Sequence, residues 1–118
     1  MPAGNKTILI IDDEEDLCYL LANLLRAQGF EVQTEFTLTD GSAAIRRQPP
    51  DWVILDNDLP DGQGWEKLEE FRAIAPHAGF IMISANPDAI LTELLEKVHY
   101  LMKPIHVNNI ISLIRAAI

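Results

Sequence analysis

Cysteine is almost missing. Cys18 stands alone in 118 residues, so neither an intramolecular disulfide nor a cysteine-rich metal cage can form, and its expected role is helix packing. Basic residues are scarce as well. Nine lysines and arginines face eighteen aspartates and glutamates, a formal charge of −9, which is the wrong sign for a phosphate backbone or an anionic lipid surface. Nucleic acid and membrane are therefore not expected as direct partners. No apolar run approaches the ~20 residues of a membrane span, and Asp12 interrupts the first apolar stretch before it can serve as a signal-peptide core. A cytoplasmic location is expected. Linkers and repeats are lacking too, and the length matches one compact domain. Residues 1–118 are read as a single domain, with a flexible N-terminus over 1–6.

What remains is ordinary core material, with 48% apolar and 23% charged residues, a balance that favours folding over disorder. The runs at 8–11, 52–55 and 80–83 are uninterrupted and apolar, as expected of parallel strands covered on both faces. A shorter run at 100–102 repeats the pattern, and Phe30, Val32, Thr34 and Phe36 alternate as an edge strand does. Between them, Leu17, Leu20, Leu21, Leu24 and Leu25 make an apolar helical stripe that Gly29 is placed to end. Ala43, Ala44 and Ile45 suit a second helix, and Leu68, Phe71 and Ile74 a third. Ile90, Leu91, Leu94, Leu95 and Val98 suit a fourth, opened by Asn86 and Pro87. Val107, Ile110, Ile111 and Ile114 give a fifth. Strict alternation of strand and helix predicts right-handed crossovers and an α/β, doubly wound, five-stranded parallel sheet with helices on both faces.

Ligands bind such sheets where successive strands leave in opposite directions. The residues just after strands one and three, Asp12, Asp13 and Asp56, should meet there. Three close carboxylates repel and raise one another's pKa unless a cation is shared, and hard oxygen ligands suit Mg²⁺ or Mn²⁺. Singly, each Asp is explained as well by a helix cap or a loop boundary. The set is more specific, because Ser84 after strand four adds a hydroxyl and Lys103 after strand five adds a fixed positive charge.

In order, the acidic pair Asp12-Asp13-Glu14, the loop Asp56-Asn57-Asp58-Leu59-Pro60-Asp61-Gly62, Ser84-Ala85 and Tyr100-Leu101-Met102-Lys103-Pro104 resemble the receiver domain of two-component response regulators, from Thr7 to Ile118. The resemblance implies the flavodoxin-like strand order 2-1-3-4-5. It implies that Asp56 takes a phosphoryl group from a phosphohistidine of a histidine kinase or phosphotransfer protein. Asp13, Asp56 and the Asp58 backbone carbonyl would hold Mg²⁺, with Asp12 acting through water. Ser84 and Lys103 would bind the phosphate, Tyr100 would repack, and the face of the fourth helix, fifth strand and fifth helix would report the change, with homodimerisation on phosphorylation as one outcome. Asp58 and Asn86 would flank the path of attacking water and tune the phosphate lifetime. A cis Lys103–Pro104 bond is also implied, and the domain would catalyse only its own phosphorylation and dephosphorylation.

The pattern departs in two places. Asn57 stands where many receivers carry an apolar residue, and the stretch from Ser84 to Lys103 is short, so the fourth helix is expected to be truncated or displaced. Residues 53–58 also resemble the nucleophile motif of haloacid-dehalogenase-type phosphatases, with Asp56 as nucleophile and Asp58 as acid/base. A phosphorylation-silent interaction module is the remaining alternative. Pro60 and Pro104 read as turn residues, and Gly62 and Gly64 as points of unusual backbone angle. Trp52 and Trp65 read as packing residues, and His77, His99 and His106 receive no metal or catalytic role.

Overall fold

The computed structural model describes residues 6–85 and 98–116 of the chain. Five strands, β1 (Thr7–Ile11), β2 (Glu31–Glu35), β3 (Trp52–Asp56), β4 (Gly79–Ser84) and β5 (His99–Met102), pair in parallel in the order β2-β1-β3-β4-β5. Helices α1 (Glu15–Ala27), α2 (Leu38–Arg47) and α3 (Gly64–Ile74) follow the first three strands, and α4 (Val107–Ala116) follows β5. The flavodoxin-like order is as expected. The helix expected over Ile90, Leu91, Leu94 and Leu95, with Asn86 and Pro87 at its start, lies outside the described residues.

Successive strand residues project to opposite faces, so the central strands build two cores. Leu9, Ile11, Val53, Leu55, Phe80 and Met82 meet Ala44 and Ile45 of α2 and Leu68 and Phe71 of α3. Ile8, Ile10, Ile54, Ile81 and Ile83 meet Cys18, Leu21 and Leu25 of α1 and Ile110 and Ile114 of α4. Every residue of β3 is buried, which is why its sequence shows no alternation. Each such Ile or Leu contributes about 1.5–3 kcal/mol through burial. The strand edges therefore have little freedom to shift, and the residues at their ends inherit that rigidity.

The expected stripe on α1 needs correcting. Cys18, Leu21, Ala22 and Leu25 are the buried face, whereas Leu20 is 57% and Leu24 40% exposed. The leucines span an arc wider than the sheet covers, and only the half centred on Cys18 and Leu25 lies over the strands. Gly29 ends the helix as expected, in the left-handed region at φ 98°.

Beyond β3 the chain forms a small antiparallel ribbon, Asp58–Leu59 against Gly62–Gln63, turned through Pro60 and Asp61. Gly62 has φ 148°, so the expected unusual angle is present there. Gly64 has no positive φ. Its constraint is space, because a Cβ at Gly64 would collide with the main-chain carbonyl of Asp56. The loop is thereby folded tightly against the end of β3. Since β1 lies between β2 and β3, the chain leaves β1 and β3 in opposite directions, and a crevice opens at their C-terminal ends.

Candidate functional site

Asp12 follows β1 and Asp56 ends β3, and both are buried, while Asp13 is exposed. One carboxylate oxygen from each lies within 4.8 Å of the others. Asp12 Oδ1 accepts the Glu14 N–H at 2.9 Å, which shapes the turn into α1. Asp56 Oδ1 accepts the Asp58 N–H at 3.3 Å. The outer oxygens face Lys103, whose Nζ lies 3.4 Å from both Asp12 Oδ2 and Asp56 Oδ2. Asp12 Oδ2 is buried and, among the described residues, takes part in no hydrogen bond despite that ion pair.

Lys103 is set by the strands. Its N–H donates to the Ser84 carbonyl at 2.9 Å, so the end of β5 is tied to the end of β4, and the Lys103–Pro104 bond is cis. Ser84 itself is buried at the end of β4. Tyr100, on β5, is partly buried against the α2–α3 core. Asp58 is exposed in the ribbon, two residues beyond Asp56. Thus Asp12, Asp13, Asp56 and Lys103 come together in one crevice, with Ser84 at the neighbouring strand end, while Asn86 lies outside the described residues.

The electrostatics follow from burial. Desolvation and the Asp12 charge lift Asp56 to about 7, against the opposing pull of Lys103 and of the Asp58 N–H. Asp12 is raised too, first by desolvation, with the Glu14 N–H and Lys103 opposing. For Lys103, burial works against the charge, but the Glu14 hydrogen bond and the carboxylates outweigh it and raise its pKa. Among the described residues, two buried carboxylates share one side of this balance and the Lys103 ammonium the other, so negative charge is under-compensated there. A hard divalent cation fits this donor set: all three ligands are carboxylate oxygens, Asp12 Oδ2 accepts no hydrogen bond among the described residues, and exposed Asp13 leaves room for coordinated water. Below the site, the Cys18 thiol is pushed up to about 12 by desolvation and then by the Asp12 charge. It contacts the Asp12 carbonyl at 3.2 Å as a donor, which bears out its packing role.

The family model for the response regulator receiver domain matches residues 8–115. The chain belongs to the receiver domain family. Among curated relatives, the photosynthetic apparatus regulatory protein RegA of Rhodobacter capsulatus is 26% identical over 91% of this chain and 60% of its own length. The sensory transduction protein RegX3 of Mycobacterium bovis is 35% identical over 95% of this chain and 50% of its own. This chain thus spans roughly half the length of these relatives. A solved CheY-like receiver domain from Methanospirillum hungatei superposes with a TM-score of 0.87 at 27% identity, covering 97% of this chain and 94% of that one.

Receiver domains take phosphoryl groups from histidine kinases, and they act as signalling switches of two-component systems. The match favours this reading over the phosphatase alternative, whose motif here falls on the third strand of a receiver sheet. Among the described residues no helix is long and apolar enough to cross a membrane.

Three residues near the site escaped sequence reasoning. Asn57 is buried, and its Oδ1 accepts the Trp65 N–H at 3.1 Å while its own carbonyl accepts the Gly64 N–H at 2.8 Å. The departure from an apolar residue is therefore used to hold the start of α3. Asp61 accepts the Leu38 N–H at 2.8 Å and the Thr39 N–H at 2.9 Å, capping α2 from the acidic loop. Desolvation opposes it, yet the hydrogen bonds from Leu38 and Thr39 together outweigh that and hold its carboxyl below the usual value. Glu14 meets Lys103 at 2.6 Å. The partners of Asp61 and Glu14 are distant in sequence and those of Asn57 lie across the loop, and only the cluster of acids between 56 and 61 hinted at the second.

Proposed function

We propose that Asp56 is the phosphoacceptor of this receiver domain, taking a phosphoryl group from a phosphohistidine of a histidine kinase or phosphotransfer protein. The observation that carries this is the buried Asp56 carboxylate at the end of the central strand, with Lys103 Nζ at 3.4 Å and the Asp12 and Asp13 carboxylates beside it. An Asp56 oxygen forms the new O–P bond as the P–N bond of the donor breaks, its electron pair leaving on the imidazole nitrogen. Lys103 follows the charge onto a phosphoryl oxygen, and the rigid strand ends hold the groups in place, which is most of what phosphoryl transfer asks of a protein.

Asp13, Asp56 and the Asp58 backbone carbonyl would hold Mg²⁺ or Mn²⁺, with Asp12 acting through a bound water. When bound, the ion neutralises charge on the transferring group. The Ser84 hydroxyl donates to a phosphoryl oxygen, and Tyr100 repacks, so that β5 and α4, with the segment before them, form the output face. Asp58 and Asn86 tune the lifetime of the aspartyl phosphate. The domain acts in the cytoplasm, as one unit, and with the roughly half-length coverage of its relatives it serves either alone or as the input unit of a longer regulator.

Incubation with Mg²⁺ and a small acyl-phosphate donor, read by intact mass, tests the reading. A phosphate-sized adduct is expected in the wild type and none in Asp56→Asn. A wild type that gains no adduct would leave the silent interaction module in its place, and an Asp56→Asn variant that still gains one would move the acceptor to another residue.

A further inference from the structure

Lys103 makes its shortest contact with a residue that the transfer itself does not require. Its Nζ is 2.6 Å from Glu14 Oε1, against 3.4 Å from Asp12 Oδ2 and Asp56 Oδ2. At 2.6 Å the Glu14 contact is a strong, charge-assisted hydrogen bond, whereas 3.4 Å lies at the outer limit of one. The ammonium that must receive a phosphoryl oxygen is therefore already directed at another anion. We infer that Glu14 is a latch on Lys103, an internal carboxylate that competes with the phosphoryl group for the ammonium and must let go when Asp56 is modified.

The geometry makes release simple. The Glu14 backbone is pinned because its N–H donates to Asp12 Oδ1 at 2.9 Å, and it forms the N-cap of α1. Its side chain is 58% exposed, while that of Lys103 is 17% exposed. Glu14 can rotate into solvent about its own side-chain bonds without disturbing the turn that holds Asp12 and Asp13. Lys103, tied by its N–H to Ser84, stays where the phosphoryl oxygen arrives. Glu14 is thus a positioning residue that sets how readily the ammonium becomes available, and the latch rests on Asp56 being the acceptor.

The test uses beryllofluoride as a phosphoryl mimic, titrated calorimetrically at saturating Mg²⁺, beside the rate of Asp56 adduct formation from an acyl phosphate. Glu14→Gln removes the competing charge. Glu14→Asp keeps the charge but, one methylene shorter, draws it back from Lys103 and lengthens the 2.6 Å contact. Glu15→Gln removes a neighbouring charge on the first turn of α1 as a control. Both Glu14 variants are expected to bind beryllofluoride roughly two- to five-fold more tightly, as befits a partly exposed ion pair, and to form adduct faster by a similar factor. Glu15→Gln is expected to match the wild type.

Unchanged or weaker binding in Glu14→Gln overturns the latch. So does wild-type behaviour in Glu14→Asp, or an equal gain in Glu15→Gln, since either assigns the effect to diffuse charge. Failure of the underlying reading is separately visible: the wild type then neither binds the mimic nor forms an Asp56-dependent adduct, and the latch falls with it.

Discussion

Asp51 and Asp56 sit at opposite ends of β3 and have opposite fates. Asp51 Oδ2 accepts the Thr7 N–H at 2.8 Å and the Thr7 hydroxyl at 3.2 Å. Its own N–H donates to the Thr7 carbonyl, and its carbonyl accepts the Gly79 N–H, so the residue stitches the beginnings of β1, β3 and β4 together in contact with water. Asp56 is buried, accepts one long main-chain bond from Asp58 at 3.3 Å and one from Lys103 Nζ at 3.4 Å, and faces a second carboxylate. A carboxylate that is solvated and supplied with donors becomes structure. One that is desolvated and crowded by like charge is left with charge the protein does not balance, the environment in which functional carboxylates are found.

The sharpest way to break this contrast is to remove Lys103, the cation that faces both buried carboxylates. Lys103→Gln is expected to slow adduct formation from an acyl phosphate by roughly 10²-fold, the scale of losing a preorganised charge at a transferring group. A rate within a factor of two of the wild type would show that Lys103 does not touch the reaction.

A change of pH probes the same contrast without altering its cation. As pH rises past the ordinary value of 3.8, the unfolded chain releases the Asp56 proton, while the folded chain keeps it to about 7. The folded state thus binds more protons in that window, so this group's contribution to stability is fully present below the unfolded value and is lost as pH rises toward 7. Asp12, also raised, acts in the same direction. Comparing melting of the metal-free wild type and Asp56→Asn from pH 4 to 8 should reveal a relative loss on the order of 2 kcal/mol in the wild type, largely reversed by Mg²⁺ at pH 8. Parallel curves for the two proteins would place the Asp56 carboxyl at its ordinary value.

Smaller effects test the supports at each end. Gly64→Ala drives a Cβ into the Asp56 carbonyl and is expected to cost about 1–3 kcal/mol in denaturant unfolding, with slower phosphorylation as the loop shifts. Asp51→Ala removes the hydrogen bonds from Thr7 and should cost about 1 kcal/mol. It should leave adduct formation unchanged, whereas an altered rate would mean that the two ends of β3 are coupled.

Much of this was legible in the chain because the underlying rules are local or periodic. The runs at 8–11, 52–55 and 80–83 could be recognised as buried strands from their unbroken apolar character, and each strand end then carried its own chemical group. The buried half of α1 was not legible, since leucines cover more of that helix than the sheet does, and nothing local says which half turns inward. The role of Asn57 was hidden for a similar reason. Its side chain looked like a departure until Trp65 and Gly64 were found folded back against it.

The sequence by itself determined the doubly wound topology and named the acids, the hydroxyl and the lysine at the strand ends, because alternation of apolar runs and helical stripes dictates which residues follow which strand. Only the tertiary structure decided how those groups divide their partners. That Lys103 leans toward Glu14, that Asp61 caps α2, and that Asp51 is held by short bonds in water while Asp56 is buried with long ones, all depend on pairs separated by twenty to ninety residues. Hydrogen bonds and ion pairs act over a few ångströms of space, and spacing along a chain carries no measure of that distance until the sheet brings its ends together.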